Sequence, residues 1–221
     1  MTLVERVLDA HGGLDAWRAH DELELRYRAG GLAFASRMRG LRMKPWHARV
    51  RLDRPHTILE DYPERGRRGV LDGEHVSIEG DGARDNPREL FRSARRRVRW
   101  DDLDLLYFSG YAIWGYATFP FHLTLPGVEA TETGDRTLHV RYPAGWPVHS
   151  REQTFHFDDQ HLLVRNDYTA EVIGSWAHAV HLTLEHRTFD GLTFGTRRRV
   201  HPRATAKISL VKIAIDEVEP R

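Results

Sequence analysis

Ionisable and phenolic side chains between residues 149 and 186 have the types and spacing for acid–base chemistry. Glu152 and His156 lie four residues apart in an alternating segment, so they would share one face of a β-strand. Asp167 lies in the next alternating segment. Pairing of the two strands would set a carboxylate beside an imidazole, the minimum for general acid–base catalysis. Solvent-facing alternation is an alternative interpretation that stays open. The candidate catalytic residues are His156, Asp167, Glu152 and His186.

An uncharged aromatic stretch, Leu105–Phe121, precedes this segment. Its 17 residues hold seven aromatic rings, although 29% of the whole chain is charged. A membrane-spanning helix needs about 20 apolar residues, and this stretch is shorter and contains Pro120. We therefore expect it to be buried in protein, where it would form the wall of a cavity. The residues expected to contact a ligand are Tyr107, Tyr111, Trp114, Tyr116, His149, Tyr168 and His181.

The 14 histidines do not have the spacing of a metal site. The chain has no HxH and no HExxH motif. His178 and His181 are three residues apart, so a strand would point them to opposite faces, and the five-residue spacing to His186 has the same consequence. Cysteine is absent, which excludes thiolate ligands and nucleophiles. We expect no bound metal.

Motifs for nucleotide cofactors and nucleophilic serines are also missing. The glycine pairs match neither phosphate-binding pattern, and Ser109 lacks the sequence context of an activated nucleophile. No cofactor is expected. Arginine clusters occur at Arg95–Arg97 and Arg197–Arg199, but the formal net charge is only +1. This balance favours solvated, ion-paired faces and predicts no nucleic-acid partner.

Four segments should position these groups in a single domain spanning 1–221. They are an N-terminal helical segment (2–20), a first β-meander (22–79), a helical and aromatic insert (86–122) and a second β-meander (136–218).

Local signals refine three of these segments. Alternation predicts a strand over 32–39 in the first meander. Asn86 followed by proline predicts a helix over Pro87–Val98, and an acidic start predicts a second helix from Asp102 that breaks near Pro120.

Three stretches carry a resemblance to a known superfamily: AHGGLDAW (Ala10–Trp17), FDDQHLLVRNDY (Phe157–Tyr168) and FDGLTFGTRRRV (Phe189–Val200). Together with the two meanders they resemble the lipoprotein-carrier-like superfamily of LolA and LolB type, although Gly195 stands where a proline is frequent. The resemblance implies a mainly β (α+β) fold, a curved antiparallel half-barrel sheet with helices covering its concave face. It implies either ligand carriage or catalysis, because the superfamily includes both.

The sequence thus predicts that the chain binds a small, largely apolar or aromatic molecule between the sheet and the insert. One alternative is a cofactor-independent isomerase, cyclase or hydratase that uses the same cavity. A second is a protein that docks a partner through the insert. No stable membrane insertion is expected. The N-terminus lacks a basic region followed by an apolar run, so a cytoplasmic location is expected.

Overall fold

The computed structural model describes residues 1–37, 39–40, 43–80, 84–87 and 99–221. Its described strands form one open, curved, antiparallel sheet of 13 strands in the order β6-β5-β4-β3-β2-β1-β13-β12-β11-β10-β9-β8-β7. The strands are β1 Glu22–Gly30, β2 Lys44–Arg51, β3 His56–Glu60, β4 Arg68–Asp72, β5 His75–Glu79, β6 Arg84–Pro87, β7 Glu129–Gly134, β8 Thr137–Arg141, β9 Glu152–Phe157, β10 Leu163–Thr169, β11 His178–Phe189, β12 Leu192–Pro202 and β13 Val211–Pro220.

The two meanders join through the first and last strands. β1 pairs with β13 from Leu23 opposite Pro220 to Gly30 opposite Lys212, so the chain ends in the middle of the sheet. All other neighbours in the sheet are consecutive along the chain, as short hairpin connections favour. The predicted fold class, a mainly β curved antiparallel sheet with helical cover, is confirmed.

Helices pack against this sheet. They are α1 Leu3–Ala10, α2 Leu14–Arg18, α3 Leu32–Ala35, α4 Asp102–Thr118 and a 3-10 turn at Phe121–Thr124. Helix α4 starts with a capping box in which the side chains of Asp101 and Asp104 accept from each other's backbone N–H. Its residues are buried on nearly every side, as expected of a helix that is apolar all round. The predicted helix from Asp102 and its break before Pro120 are therefore correct.

Three details differ from the sequence-based expectation. Residues 32–35 form helix α3 rather than a strand, because the chain turns at Gly31, where the Ala33 N–H donates to the Leu210 carbonyl (2.9 Å). Strand β7 was not predicted; most of its residues are exposed, so it lacks the apolar alternation of a half-buried strand. Asn86 lies in strand β6 opposite Val76 and does not start a helix. The rest of the helix predicted over Pro87–Val98 lies outside the described residues.

Candidate functional site

A cavity of about 630 Å³ lies between the sheet, α4 and α3. Its rim comes from α3 and the segment after it, from the β10–β11 connection and from the β12–β13 connection. None of the described residues lining it is Asp or Glu. The lining is mostly apolar and comprises Ala33, Ser36, Arg37, Phe108, Tyr116, His149, Tyr168, Ala170, Ile173, Trp176, Ala177, His178, Ala179, Val200, Pro202, Arg203, Ala204, Leu210 and Val211.

Tyr116, His149 and Tyr168 meet at one end of the cavity, and His181 packs behind them. The rings of His149 and Tyr168 stack at 4.1 Å between centroids, and the ring of His181 meets that of Tyr116 edge-on at 4.8 Å. The Tyr116 hydroxyl and His149 Nε2 share a hydrogen bond of 2.8 Å. All four side chains are buried. We call these four residues the aromatic–histidine cluster.

Burial keeps this cluster uncharged near neutral pH. Loss of solvation lowers the pKa of His149 to about 3 and lowers the pKa of His181 well below its usual value. The same effect raises the pKa of the Tyr116 and Tyr168 hydroxyls. Both ring nitrogens of His181, and Nδ1 of His149, are buried without a hydrogen-bond partner among the described residues. The cluster therefore offers neutral, unsatisfied polar atoms beside an apolar cavity.

Arg198 is a buried cation beside the cluster and was missed from the sequence. Its Nε donates to the Gly195 carbonyl (3.0 Å), and its guanidinium lies 4.9 Å from the centroid of the Tyr116 ring. Burial lowers the pKa of Arg198 to about 10, so it is still charged at neutral pH. The Arg197–Arg199 run was interpreted as a solvated face. However, Arg198 is separated by an even number of positions from the buried Phe194 and Val200, so it points to the same face of its strand. That spacing could have identified it as buried.

The structure brings most of the expected ligand-contacting residues together. Tyr111 packs edge-on against His149 at 5.0 Å and against Tyr107 at 5.3 Å. Trp114 lines a smaller cavity together with Tyr111, Tyr116 and His149. Its Nε1 donates to the Arg51 carbonyl (2.9 Å), and its ring stacks on His122 at 5.5 Å. Tyr107, Tyr111 and Trp114 do not line the large cavity, whereas Tyr116, His149 and Tyr168 do.

Three of the candidate catalytic residues lie on the opposite face of the sheet. In β9 the buried residues include Phe155 and Phe157, so Glu152 and His156 point away from α4. The expected imidazole–carboxylate pair does form, with 3.5 Å between His156 Nε2 and Asp167 Oδ2. Asp167 also accepts hydrogen bonds from Nε and Nη2 of Arg165, at 2.7 Å each. This pair does not face the insert, contrary to the geometry that a site in the cavity would need.

His186 is separate from both groups. Its ring lies 6.2 Å from that of His11, at the end of α1. Irregular pairing on both sides of Glu185 breaks the alternation between His181 and His186, so the five-residue spacing did not fix their relative faces. The Arg198 cation lowers the pKa of both histidines, after the larger effect of burial.

Comparison with solved structures gives two likenesses over the whole chain. A LolA superfamily protein from Nitrosomonas europaea superposes with a TM-score of 0.52 at 8% identity, covering 99% of this chain and 92% of that one. A DUF1329 family protein from Desulfovibrio piger superposes with a TM-score of 0.52 at 11% identity, covering 100% and 94%. The chain has the lipoprotein-carrier-like fold. No protein-family model and no curated protein matches the sequence.

The lipoprotein-carrier-like fold does not by itself define a function, so the chemistry of the cavity depends on the side chains that line it. Within the described ranges, no three His, Asp or Glu side chains are close enough together to hold a metal ion. None of the described helices has the length and apolar character needed to cross a membrane. The arrangement can bind an apolar group in the cavity and hydrogen-bond a polar atom at the aromatic–histidine cluster.

Proposed function

We propose that this protein binds a small, largely apolar ligand in the 630 Å³ cavity. The observation that carries the proposal is an apolar-lined void of that size beneath a curved sheet, ending at an uncharged polar cluster. Ligand cavities typically measure about 300–1,000 Å³ and combine apolar walls with a few polar groups. The apolar part of the ligand would pack against Phe108, Ile173, Val200 and Leu210.

The aromatic–histidine cluster would orient the ligand. A buried polar atom without a hydrogen bond costs about 1–3 kcal/mol, and a hydrogen bond from the ligand would offset that cost. His149 Nδ1 is such an atom on a residue that lines the cavity. A ligand with one hydroxyl or carbonyl oxygen at its buried end fits this position.

Exposed apolar side chains near the cavity mouth support entry of an apolar molecule. Trp176 lines the cavity and is 73% exposed. Leu32 in α3 and Ile208 in the β12–β13 connection are exposed large hydrophobic residues in segments that border the mouth. An apolar ligand would cover part of this surface as it binds.

The observations favour binding over the two alternatives. General acid–base catalysis works best with a group whose pKa lies near the operating pH, yet the described lining has no carboxylate and burial lowers the pKa of its His149 to about 3. Docking through the insert would need an exposed α4, and that helix is buried.

The experiment is a cavity-filling substitution. Ala170 lines the cavity, and Ala170→Trp would occupy part of its volume. Ala130 in β7 is equally half-buried but lies outside the cavity, so Ala130→Trp is the matched control. Binding of the neutral apolar dye Nile red, followed by its fluorescence, should be lost in Ala170→Trp and kept in the control. Equal binding by both variants, at equal thermal stability, would rule out the cavity as the site.

A further inference from the structure

Arg37 places a cation in the wall of the proposed ligand cavity. It follows α3, lines the cavity and is only 8% exposed. Its Nη1 donates to the Ser36 hydroxyl (3.3 Å), and its guanidinium lies 5.9 Å from the centroid of the Trp100 ring. Nε is buried and has no hydrogen-bond partner among the described residues. The edge of the guanidinium formed by Nε and Nη2 is therefore not engaged by that part of the chain.

The other buried arginine near the cavity differs in this respect. Arg198 directs Nε, Nη1 and Nη2 at Gly195, Thr183 and Tyr116 respectively. All three of its nitrogens are used within the fold. Arg37 has one such bond, and burial lowers its pKa without an opposing contribution from a neighbouring acid. A buried charge is costly unless it is paired, and among the described residues Arg37 has no counter-charge.

We propose that the ligand is an amphiphile whose anionic head group, a carboxylate or a phosphate, binds the guanidinium of Arg37. The inference rests on the proposed function and specifies its ligand class. Two parallel N–H donors on a guanidinium edge match two oxygens of a carboxylate or phosphate. The apolar chain would run along Phe108 and Val200, and its far end, with the hydroxyl or carbonyl oxygen proposed above, would reach the aromatic–histidine cluster.

Charge in the remaining lining agrees with this orientation. Arg203 supplies a second guanidinium at the rim, and the described lining has no carboxylate to repel an anion. A cationic head group would meet only like charge there. A neutral head group could accept a hydrogen bond from Arg37, but it would leave the buried guanidinium without a counter-charge among the described residues.

The test uses the whole chain and three probes that share a tail: tetradecanoate, tetradecyl phosphate and tetradecanol. Each displaces Nile red from wild-type protein and from Arg37→Gln. We expect Arg37→Gln to weaken the binding of the anionic probes about ten- to a hundredfold, as for loss of charge-assisted hydrogen bonds, and to leave tetradecanol within about twofold. Arg37→Lys, which keeps the charge but loses the planar edge, should fall between the two. Arg18→Gln removes an exposed charge on α2 and is the control.

The outcomes separate the two proposals. Stronger binding of tetradecyl phosphate than of tetradecanoate would identify a phosphate head group, the reverse order a carboxylate, and both support the inference. Equal effects of Arg37→Gln on all three probes, with tetradecanol still bound, would overturn the anionic head group and leave apolar binding intact. If no probe binds wild-type protein, both proposals fail. If Arg37→Gln does not fold, salt titration of wild-type protein decides: added salt must weaken the anionic probes selectively.

Discussion

Arg198 donates a hydrogen bond from Nη2 to the backbone carbonyl of Tyr116 at 3.4 Å. In a regular helix that carbonyl would accept from the residue four positions later, which here is Pro120 and has no N–H. The arginine thus supplies a donor that the chain itself lacks at the end of α4. Its positive charge also lies at the negative end of the helix dipole. The bond links strand β12 to the buried helix that forms one wall of the cavity.

Replacing this cation should loosen α4. Arg198→Met keeps much of the side-chain volume but removes its three hydrogen bonds. We expect the free energy of unfolding to fall by about 2 kcal/mol, since a bond to a charged group contributes about 1.5–3 kcal/mol. Chemical denaturation measures this directly. The exposed neighbour Arg199→Met is the control, and equal stability of the two variants would contradict a stabilising role for Arg198.

Acid should destabilise the fold below about pH 6.5. Burial lowers the pKa of folded His149 from 6.5 to about 3, so between those values the unfolded chain binds a proton that the folded chain does not. Stability therefore rises with pH across this window and is lost as pH falls through it. His149→Gln, which can still accept from Tyr116, should reduce the slope by about 1.4 kcal/mol per pH unit.

The control for this titration is His75→Gln, at an exposed position in β5. Denaturation curves at several pH values would show the difference. An unchanged slope in His149→Gln would mean that the imidazole is protonated in the folded protein.

The pair formed by His156 and Asp167, on the opposite face of the sheet from α4, should be dispensable for ligand binding. His156→Ala and Asp167→Asn alter partly exposed groups on the face away from α4. We expect stability losses of about 1 kcal/mol or less and unchanged affinity for Nile red. Fluorescence titration of each variant measures this affinity. A tenfold loss of affinity in both variants would show that these two residues do contribute to ligand binding.

Gly31 should tolerate no side chain. Its φ is +136°, and a Cβ there would lie 2.5 Å from the Leu210 carbonyl oxygen. Gly31→Ala should cost more than about 2 kcal/mol, because backbone strain and a clash add. Gly40 also has a positive φ of +85°, but no atom of the described residues would lie within 4 Å of a Cβ there.

Gly40→Ala should therefore cost only about 1 kcal/mol. Thermal unfolding of both variants measures the difference. Similar losses would show that the approach of Gly31 to Leu210 does not stabilise α3.

The sequence determined most of the local structure. The lack of charge between Leu105 and Phe121 required burial, and the structure buries α4 on nearly every side. Asp72–Gly73 and Asp190–Gly191 are Asp-Gly dipeptides typical of hairpin turns; the first lies at the end of β4, before β5, and the second lies between β11 and β12. These features depend on residues close together in the chain, so a single sequence specifies them.

Only the tertiary structure decided which face of each strand points inward. Period-two alternation defines two faces but does not name the buried one. In β9 the expectation followed the ionisable residues Glu152 and His156, whereas burial followed Phe155 and Phe157, whose apolar area favours the core. In β11 the irregular pairing around Glu185 interrupts the alternation, so the number of residues between two histidines no longer tells whether they share a face.

The buried arginines depended on contacts even more distant in the chain. Arg198 gains its role from Tyr116, 82 positions earlier, and Arg37 from a cavity built by segments far apart in the chain. The sequence alone predicted alternating strands and a buried apolar insert, and the resemblance to the superfamily implied that the sheet is curved. Packing of residues far apart in the chain decided where charge remains inside, because the cost of a buried cation depends on which groups fold around it.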